Sequence, residues 1–384
     1  MTRRIAYIHS RLQLNNARLK YMPFGFNLAQ KLDQLGHSID FYLAEDATDD
    51  YTSYFSDRTR FFFLDQPLIW KRPGKLTFYL LHLYTQYLVK KSQTRYRAVL
   101  SSGQAGNCLG SKLAQSHSCP FIFLSDEFPD IYDAPLWENA EAQAARHADL
   151  LISPDESRCQ KLTEKIEGIS QKPSATVPNT PLADAFENLP EIDWHERLGL
   201  PAHSKIFLLA GGIHDYNQVA ETLFTVADWP EEAVLLVNGK TSRYVPKSSY
   251  DHLDVPGKIF WHTDLFDDPE FHSLVKASTA SFGLYRHVND LDYVGKSSGK
   301  ILRSLACGRP VIASNFHSLD FISRLDLGKQ VTHPREIPGA VKHLIDQESF
   351  YAAHCPAAYQ KHLSFEAYWP QISLALEQAG LQLN

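Results

Sequence analysis

The sequence is short of cysteine, of methionine and of long apolar runs. Its 384 residues include five cysteines and two methionines, and no two cysteines form a Cys-x-x-Cys pair. Such scattered cysteines fit neither a zinc site nor a disulfide framework, so we expect a reducing compartment and predict a cytoplasmic location. No window approaches the roughly 20 apolar residues of a membrane span. The first apolar run is also too short for a signal peptide.

An excess of positive charge is also absent. Thirty-eight lysines and arginines face 44 aspartates and glutamates, which gives a net charge of −6, and no long basic run interrupts the chain. This balance argues against a nucleic-acid partner. The Gly-x4-Gly-Lys-Ser/Thr spacing of a P-loop is missing as well. What remains is an ordinary globular composition, long enough for two domains.

Short apolar runs alternate with helical patterns, as in the βαβ units of a parallel sheet. In the first half, strands are predicted at residues 3–10, 39–43, 96–102, 120–126 and 148–154, with one helix starting near Cys108. In the second half, strands are predicted within residues 205–216, 233–240, 258–263, 279–286 and 310–314. The predicted fold class is α/β, with two doubly wound Rossmann-like domains at residues 1–181 and 200–355 that face a cleft. Residues 182–203 are predicted to link them.

Ligands of open parallel sheets bind beyond the carboxyl ends of the strands. In the first half these positions are polar and acidic: Gly103–Asn107, Asp126 and Glu127. In the second half they are rich in glycine and basic residues: Gly211–Tyr216, Lys240, Arg286 and Ser297–Lys300. The contrast predicts an anion on the second domain and a hydroxylated compound on the first.

The stretch GKSSGKILRSLACGRPVIAS, residues 295–314, combines a polar turn, a helical pattern and a short strand. Ser297, Ser298 and Gly299 are predicted at the start of the helix. Free amides and the helix dipole attract phosphate there, and Lys300 adds a charge. The alternative is a helix that a serine caps in front of an ordinary core face. Spacing alone leaves both interpretations open.

This stretch resembles the donor domain of retaining nucleotide-sugar glycosyltransferases of GT-B architecture, glycosyltransferase family 4. IFLLAGGIHDYN, LVNGK and KIFWHTDLFDDPEFHSLVKASTASFGLYR are similar to other parts of that domain. NLAQKLDQLGHSIDFYLAE and HADLLISPDESRCQKL match the first domain more loosely. LSFEAYW resembles the C-terminal helix of the family, which implies that a helix at about residues 364–384 returns to the N-terminal domain.

The resemblance implies a hexosyltransferase that moves a sugar from a nucleoside diphosphate sugar to an acceptor hydroxyl with retention, without a metal ion or cofactor. The donor diphosphate would lie on the amides of Lys296–Lys300. Arg286 and Lys240 match positions near the nucleotide and its phosphates. Gly211 and Gly212 would let the donor approach the backbone.

The chain departs from the family at four places. A histidine that commonly follows a strand of the first domain is replaced by Ser125-Asp126-Glu127. Arg303 and Gly295 stand where family members carry acidic residues, and HDYN replaces a basic pair in the first glycine loop. Arg303 can lie near the nucleotide or on a solvated face, and His214 can contact the donor or serve the structure. Two alternative functions therefore stay open: a non-catalytic nucleotide-sugar-binding protein, and an epimerase or hydrolase of the same fold.

Other candidate residues also have two interpretations. Asp126 or Glu127 can orient an acceptor hydroxyl or act as a base, and can equally cap a helix or form a structural ion pair. His9 can face the acceptor or serve the structure. Lys300 and Arg286 can contact phosphate or form surface salt bridges. The aromatic segment 71–97, basic at both ends, can touch a membrane surface, although a core helix with snorkelling ends is the simpler interpretation.

Overall fold

The computed structural model describes residues 4–10, 22–44, 51–63, 94–128, 135–180, 188–241, 246–288 and 290–383, with Leu19, Leu83, Tyr87 and Phe186. Within these residues lie 13 strands and 12 α-helices. The chain divides into two compact units. Unit 1 comprises Met1–Asn179 and Tyr368–Asn384, and unit 2 comprises Thr180–Ala367.

Unit 1 contains a seven-stranded sheet in which every pair of neighbours is parallel. Its strands are β1 (Arg4–His9), β2 (Ile39–Leu43), β3 (Arg60–Phe63), β4 (Tyr96–Ser102), β5 (Phe121–Leu124), β6 (Leu150–Ser153) and β7 (Ser174–Thr176). Their order across the sheet is β3-β2-β1-β4-β5-β6-β7. The helices are α1 (Pro23–Gln34), α2 (Gln104–His117), α3 (Pro135–His147) and α4 (Glu156–Lys165). The C-terminal helix, Phe365–Gln378, runs from unit 2 into unit 1.

Helix α2 begins next to the sheet, four residues before the predicted start at Cys108. Gly103 adopts a φ of 71° and turns the chain directly from β4 into the helix. Gly106 allows the close approach, because a Cβ there would lie 2.9 Å from the backbone nitrogen of Ser10. The predicted turn at residues 103–107 is thus the first turn of α2.

Unit 2 contains a six-stranded parallel sheet of the order β10-β9-β8-β11-β12-β13. Its strands are β8 (Lys205–Ala210), β9 (Ala233–Asn238), β10 (Ile259–His262), β11 (Ala280–Gly283), β12 (Val311–Ser314) and β13 (Gly328–Val331). Its helices are α5 (Trp194–Leu198), α6 (Val219–Thr225), α7 (Asp268–Ala277), α8 (Gly299–Ala306), α9 (Phe321–Arg324), α10 (Ile337–Asp346) and α11 (Glu348–His362). The C-terminal helix, Phe365–Gln378, is labelled α12.

The four central strands of unit 2, β9, β8, β11 and β12, bury both faces, which is why they appear in the sequence as continuous apolar runs. One face packs with α8 and its neighbours, and the other with α5 and α7. Trp194 of α5 is 2% exposed, and its indole nitrogen donates to Ser273 Oγ at 3.1 Å. The second part of the predicted linker therefore contributes a helix to the core of unit 2.

The two doubly wound parallel sheets confirm the predicted fold class, while the cleft stays a prediction. The edge strands β3, β7 and β13 have no counterpart among the predicted strands. Strand β13 carries a single large apolar residue, Val331, because an edge strand buries little. Most of the aromatic segment 71–97 lies outside the described residues. No helix of the described part is long and apolar enough to cross a membrane.

Candidate functional site

The chain order of the second sheet reverses between β8 and β11, and the loops after these two strands lie side by side. The backbone amide of Arg286 donates to Tyr216 O at 2.9 Å. Gln218 Nε2 donates to Tyr285 O at 2.6 Å. Such a reversal opens a crevice at the carboxyl ends of the strands, which is where ligands of this sheet type bind.

The glycine loop, residues 211–217, follows β8 and packs on the turn after β9. Gly211 has a φ of 107°, and its amide donates to Asn238 O at 3.0 Å. A Cβ on Gly239 would lie 1.8 Å from Gly211 O, so only glycine fits there. Asn217 closes the loop, because its Nδ2 donates to Gly212 O at 2.6 Å.

Helix α8 starts beside this loop. Gly283, at the end of β11, lets it pack closely, since a Cβ there would lie 2.6 Å from the Ile301 side chain. Ser298 is in the N-cap position, but its hydroxyl is hydrogen-bonded to the phenol of Tyr285 at 2.6 Å, and among the described residues it caps no amide. The serine-cap alternative is therefore wrong for Ser298. The first amides of α8 keep their partial positive charge for another acceptor.

Lys300 lies in the first turn of α8 and reaches the glycine loop. Its Nζ donates to Asn217 Oδ1 at 3.1 Å and stands 4.3 Å from the centroid of the Tyr285 ring. Burial lowers the pKa of this ammonium from 10.5 to about 7. Within the described part of the chain, no carboxylate forms a salt bridge with Lys300. The structure thus brings three predicted residues together: Gly212, Ser298 and Lys300.

The other predicted basic residues lie in different surroundings. Arg286 forms a salt bridge with Glu221, the alternative that the sequence left open for it. Arg303 Nη2 lies 3.7 Å from Asp268 Oδ1, so its guanidinium has an acidic neighbour. Both pairs are partly exposed and contribute about 0–1 kcal/mol, so an anionic ligand can replace them. Lys240 is exposed, and its backbone oxygen accepts a hydrogen bond from the backbone amide of Ile213.

His214 and Ser297 complete the predicted donor residues. The His214 ring stacks on Tyr216, with centroids 5.0 Å apart and 21° between the planes. Ser297 lies in the 3-10 turn Gly295–Ser297 that precedes α8, and its hydroxyl donates to Val294 O. Both residues flank the cluster around Lys300.

The first sheet reverses its order between β1 and β4. There His9 Nδ1 lies 2.8 Å from Ser102 Oγ, and the phenol of Tyr7 lies 3.2 Å from the same hydroxyl. All three side chains are buried at the carboxyl ends of their strands or close to them. His9 is therefore placed by the sheet, next to the start of α2.

Asp126 and Glu127 follow β5 and are held by Arg158 of α4. Arg158 Nη2 donates to Asp126 O at 3.0 Å and lies 3.8 Å from Glu127 Oε2. Asp126 Oδ1 accepts a hydrogen bond from the Glu127 amide at 3.0 Å. The ion-pair alternative thus describes Glu127, and the proposed catalytic roles of both residues stay predictions.

Sequence reasoning missed Glu141, a buried acid of α3. It is 2% exposed, and its Oε1 accepts from Asn107 Nδ2 at 2.9 Å. Its Oε2 has no hydrogen-bond partner among the described residues. Burial, with the negative charges of Asp126 and Glu127, raises its pKa from 4.5 to about 8. The sequence did contain a signal for this burial, because Glu141 stands four residues before the buried residue Ala145 and so lies on the same face of the helix.

The described residues contain no group of three or more histidines, cysteines, aspartates and glutamates that could hold a metal ion. The acids named above are instead paired with arginine or with amides. The prediction that the protein needs no metal ion remains a prediction.

The sequence matches no protein-family model and no curated protein. Solved structures do match. The chain is 15% identical to sucrose-phosphate synthase from Thermosynechococcus elongatus, with a TM-score of 0.74 and 98% of each chain covered. For HepE from Anabaena, in complex with UDP and glucose, the identity is 13% and the TM-score 0.72, over 98% of this chain and 99% of HepE. The chain has the GT-B fold.

The GT-B fold also occurs in a protein from Listeria monocytogenes described as a candidate UDP-N-acetylglucosamine 2-epimerase. That protein is 11% identical, with a TM-score of 0.64, over 98% of this chain and 97% of the other. These likenesses confirm the GT-B architecture to which the motifs around residues 295–314 pointed. At such low identity they show the fold alone.

Proposed function

We propose that the chain is a glycosyltransferase that moves a sugar from a nucleoside diphosphate sugar to an acceptor hydroxyl, with retention of configuration. One observation carries the proposal. The buried ammonium of Lys300 and the amino end of α8 converge on a glycine loop at the strand-order reversal of unit 2. Solved structures of the same fold bind UDP and UDP-glucose, which supports this donor class.

Unit 2 would hold the donor. Its diphosphate would accept hydrogen bonds from the first amides of α8, while Lys300 neutralises the charge that builds on the departing phosphate. Gly211 leaves room for phosphate or sugar beside the backbone, whereas the His214 ring lies close to Gly212. Arg286 and Arg303 can turn towards the nucleotide from their acidic partners, of which Glu221 is half-buried and Asp268 is exposed. With this charge in place, the proposed reaction requires no metal ion.

Unit 1 would hold the acceptor. Asp126 and Glu127 lie after β5, where a carboxylate can orient a hydroxyl or accept its proton. His9 and Ser102 offer further hydrogen-bonding groups at the strand ends.

A second candidate function has its own motivation. Arg303 and Gly295 stand where the resembling family carries acidic residues, and an epimerase candidate shares the fold. A binding protein without turnover, or an epimerase or hydrolase of a nucleotide sugar, would fit these departures.

Calorimetry with a panel of nucleoside diphosphates, followed by donor-consumption assays, separates the candidates. The proposed function predicts diphosphate binding, and sugar transfer once a hydroxyl acceptor is supplied. Tight binding without sugar release from any donor would favour the binding protein. Donor consumption without an acceptor would favour the epimerase or hydrolase. No affinity for any nucleoside diphosphate would contradict all three.

A further inference from the structure

The glycine loop needs a positive charge that its own sequence does not supply. Residues 211–217 read GGIHDYN and include neither lysine nor arginine. The charge comes from another element, because Lys300 of α8 reaches across to the loop and donates to Asn217 Oδ1 at 3.1 Å. Asn217 is therefore the point at which the loop holds the cation.

The Asn217 side chain has one possible orientation. It is 7% exposed, and its two polar atoms face different partners. The Nδ2 group donates to Gly212 O at 2.6 Å, and a carbonyl can only accept. The Oδ1 atom faces the Lys300 ammonium, which can only donate. An exchange of the two amide atoms would break both hydrogen bonds, so the amide fixes the ammonium relative to the loop.

The groups around the ammonium leave its charge uncompensated. Tyr285 lies beneath it, and burial raises the pKa of that phenol well above the ordinary value, so the ring stays neutral. The acids on neighbouring elements have other partners: Glu221 of α6 pairs with Arg286, and Asp268 of α7 lies near Arg303. Asp215 and His214, in the loop itself, form no salt bridge with Lys300 in the described part of the chain.

An aspartate at position 217 would be isosteric but would neutralise the ammonium. Asparagine offers a dipole instead of a charge, so the ammonium is positioned while its attraction for an anion is kept. Burying an ammonium without a carboxylate beside it disfavours the charged form, and the pKa of Lys300 is lowered for this reason. An incoming diphosphate would supply the missing negative charge.

We propose that Asn217 is a positioning residue that holds the uncompensated Lys300 ammonium against the glycine loop, where it takes the diphosphate of the donor. The proposal rests on the proposed function for its ligand, but the contact between the two side chains is tested without any ligand. It gives Asn217 an electrostatic role that a merely structural asparagine would not have.

The first experiment measures the pKa of Lys300 in the free protein. The full chain is labelled with ¹³C-lysine, the Cε resonance of Lys300 is assigned with Lys300→Arg, and it is followed by NMR from pH 5 to 11. Asn217→Asp should raise the Lys300 pKa by about one unit or more, since it adds an opposite charge in contact. Asn315→Asp, at an exposed position just after β12, is the control and should leave that pKa unchanged.

The second experiment titrates inorganic pyrophosphate by calorimetry between pH 6 and 8.5. In the wild type the affinity should fall as pH rises through about 7, because Lys300 loses its proton. Asn217→Asp should bind about tenfold more weakly at pH 6 and shift that decline to higher pH. Asn217→Ala removes the acceptor without adding charge. It should weaken pyrophosphate binding at pH 6, but it should shift the pH at which the affinity falls by less than Asn217→Asp does.

Three outcomes overturn the inference: an unchanged Lys300 pKa in Asn217→Asp, wild-type pyrophosphate affinity in that variant, or an equal loss of affinity in Asn315→Asp. A folded Asn217→Asp that turns over donor like the wild type would refute the inference and leave the proposed function standing. Conversely, pyrophosphate binding with the predicted pH response, but no use of any nucleotide sugar, would support the inference and refute the proposed function.

Discussion

Replacing Glu141 with glutamine removes a carboxyl group that the fold keeps protonated. The pKa of Glu141 rises from 4.5 to about 8 in the native state. Between those values the folded protein holds a proton that the unfolded chain has released, so the stability from this group is full below pH 4.5 and is lost as pH rises through about 8. At about 1.4 kcal/mol for each pKa unit, the whole loss amounts to about 5 kcal/mol.

Glutamine keeps the oxygen that accepts from Asn107 but places a buried amide donor where Oε2 has no partner among the described residues. The protonated wild-type acid also carries a buried donor there, its Oε2–H group, so the two side chains are closely matched at low pH. We therefore expect Glu141→Gln to be about as stable as the wild type near pH 5 and more stable near pH 8.5. The difference should grow as pH rises between these values.

Urea denaturation followed by far-UV circular dichroism, at intervals from pH 5 to 9, measures this difference. Glu164→Gln is the matched control, because Glu164 is half exposed and pairs with Lys161 on the surface of α4. Its stability difference from the wild type should stay small and flat with pH. Parallel curves for the wild type and Glu141→Gln across the whole range would refute the reasoning about the buried acid.

Two further predictions concern the backbone and the hydroxyl network of unit 2. Gly239→Ala should lower the melting temperature and weaken nucleoside diphosphate binding, because its Cβ would overlap Gly211 O. Gly339→Ala is the control, since open space surrounds the new methyl group there. It should leave binding unchanged and either leave stability unchanged or raise it by up to about 1 kcal/mol. Tyr285→Phe should cost about 1 kcal/mol of stability through the lost bond to Ser298, as measured by thermal denaturation, and a variant as stable as the wild type would contradict that bond.

Much of the fold could be predicted from the sequence because parallel strands buried on both faces leave a plain signal. The strands Ile39–Leu43 and Tyr96–Ser102 have the predicted bounds, and α8 follows its polar turn as expected. The edge strand β13 escaped because it carries a single large apolar residue, Val331. The start of α2 escaped because it depends on the close approach of Gly106 to the backbone of Ser10, a tertiary contact that the local sequence does not express.

The candidate site was predictable as a set of strand ends, but its contacts were not. Lys300 and Asn217 are 83 positions apart, and only the strand-order reversal brings them together. No spacing rule could show that Ser298 turns its hydroxyl to Tyr285 instead of capping its helix. Likewise, the pairing of Glu127 with Arg158 depends on α4 packing beside the end of β5. Sequence reasoning finds the edge of a sheet, and tertiary contacts decide which side chains act there.

The most direct test of the account is a calorimetric titration of the wild type and Lys300→Met with nucleoside diphosphates at pH 6.5. We expect at least one diphosphate to bind the wild type, and the variant to bind it about tenfold more weakly or worse with an unchanged melting temperature, since the lost contact is a charge-assisted hydrogen bond. Equal affinity of the two proteins for every diphosphate that binds would remove Lys300 from the site and contradict the role proposed for its ammonium.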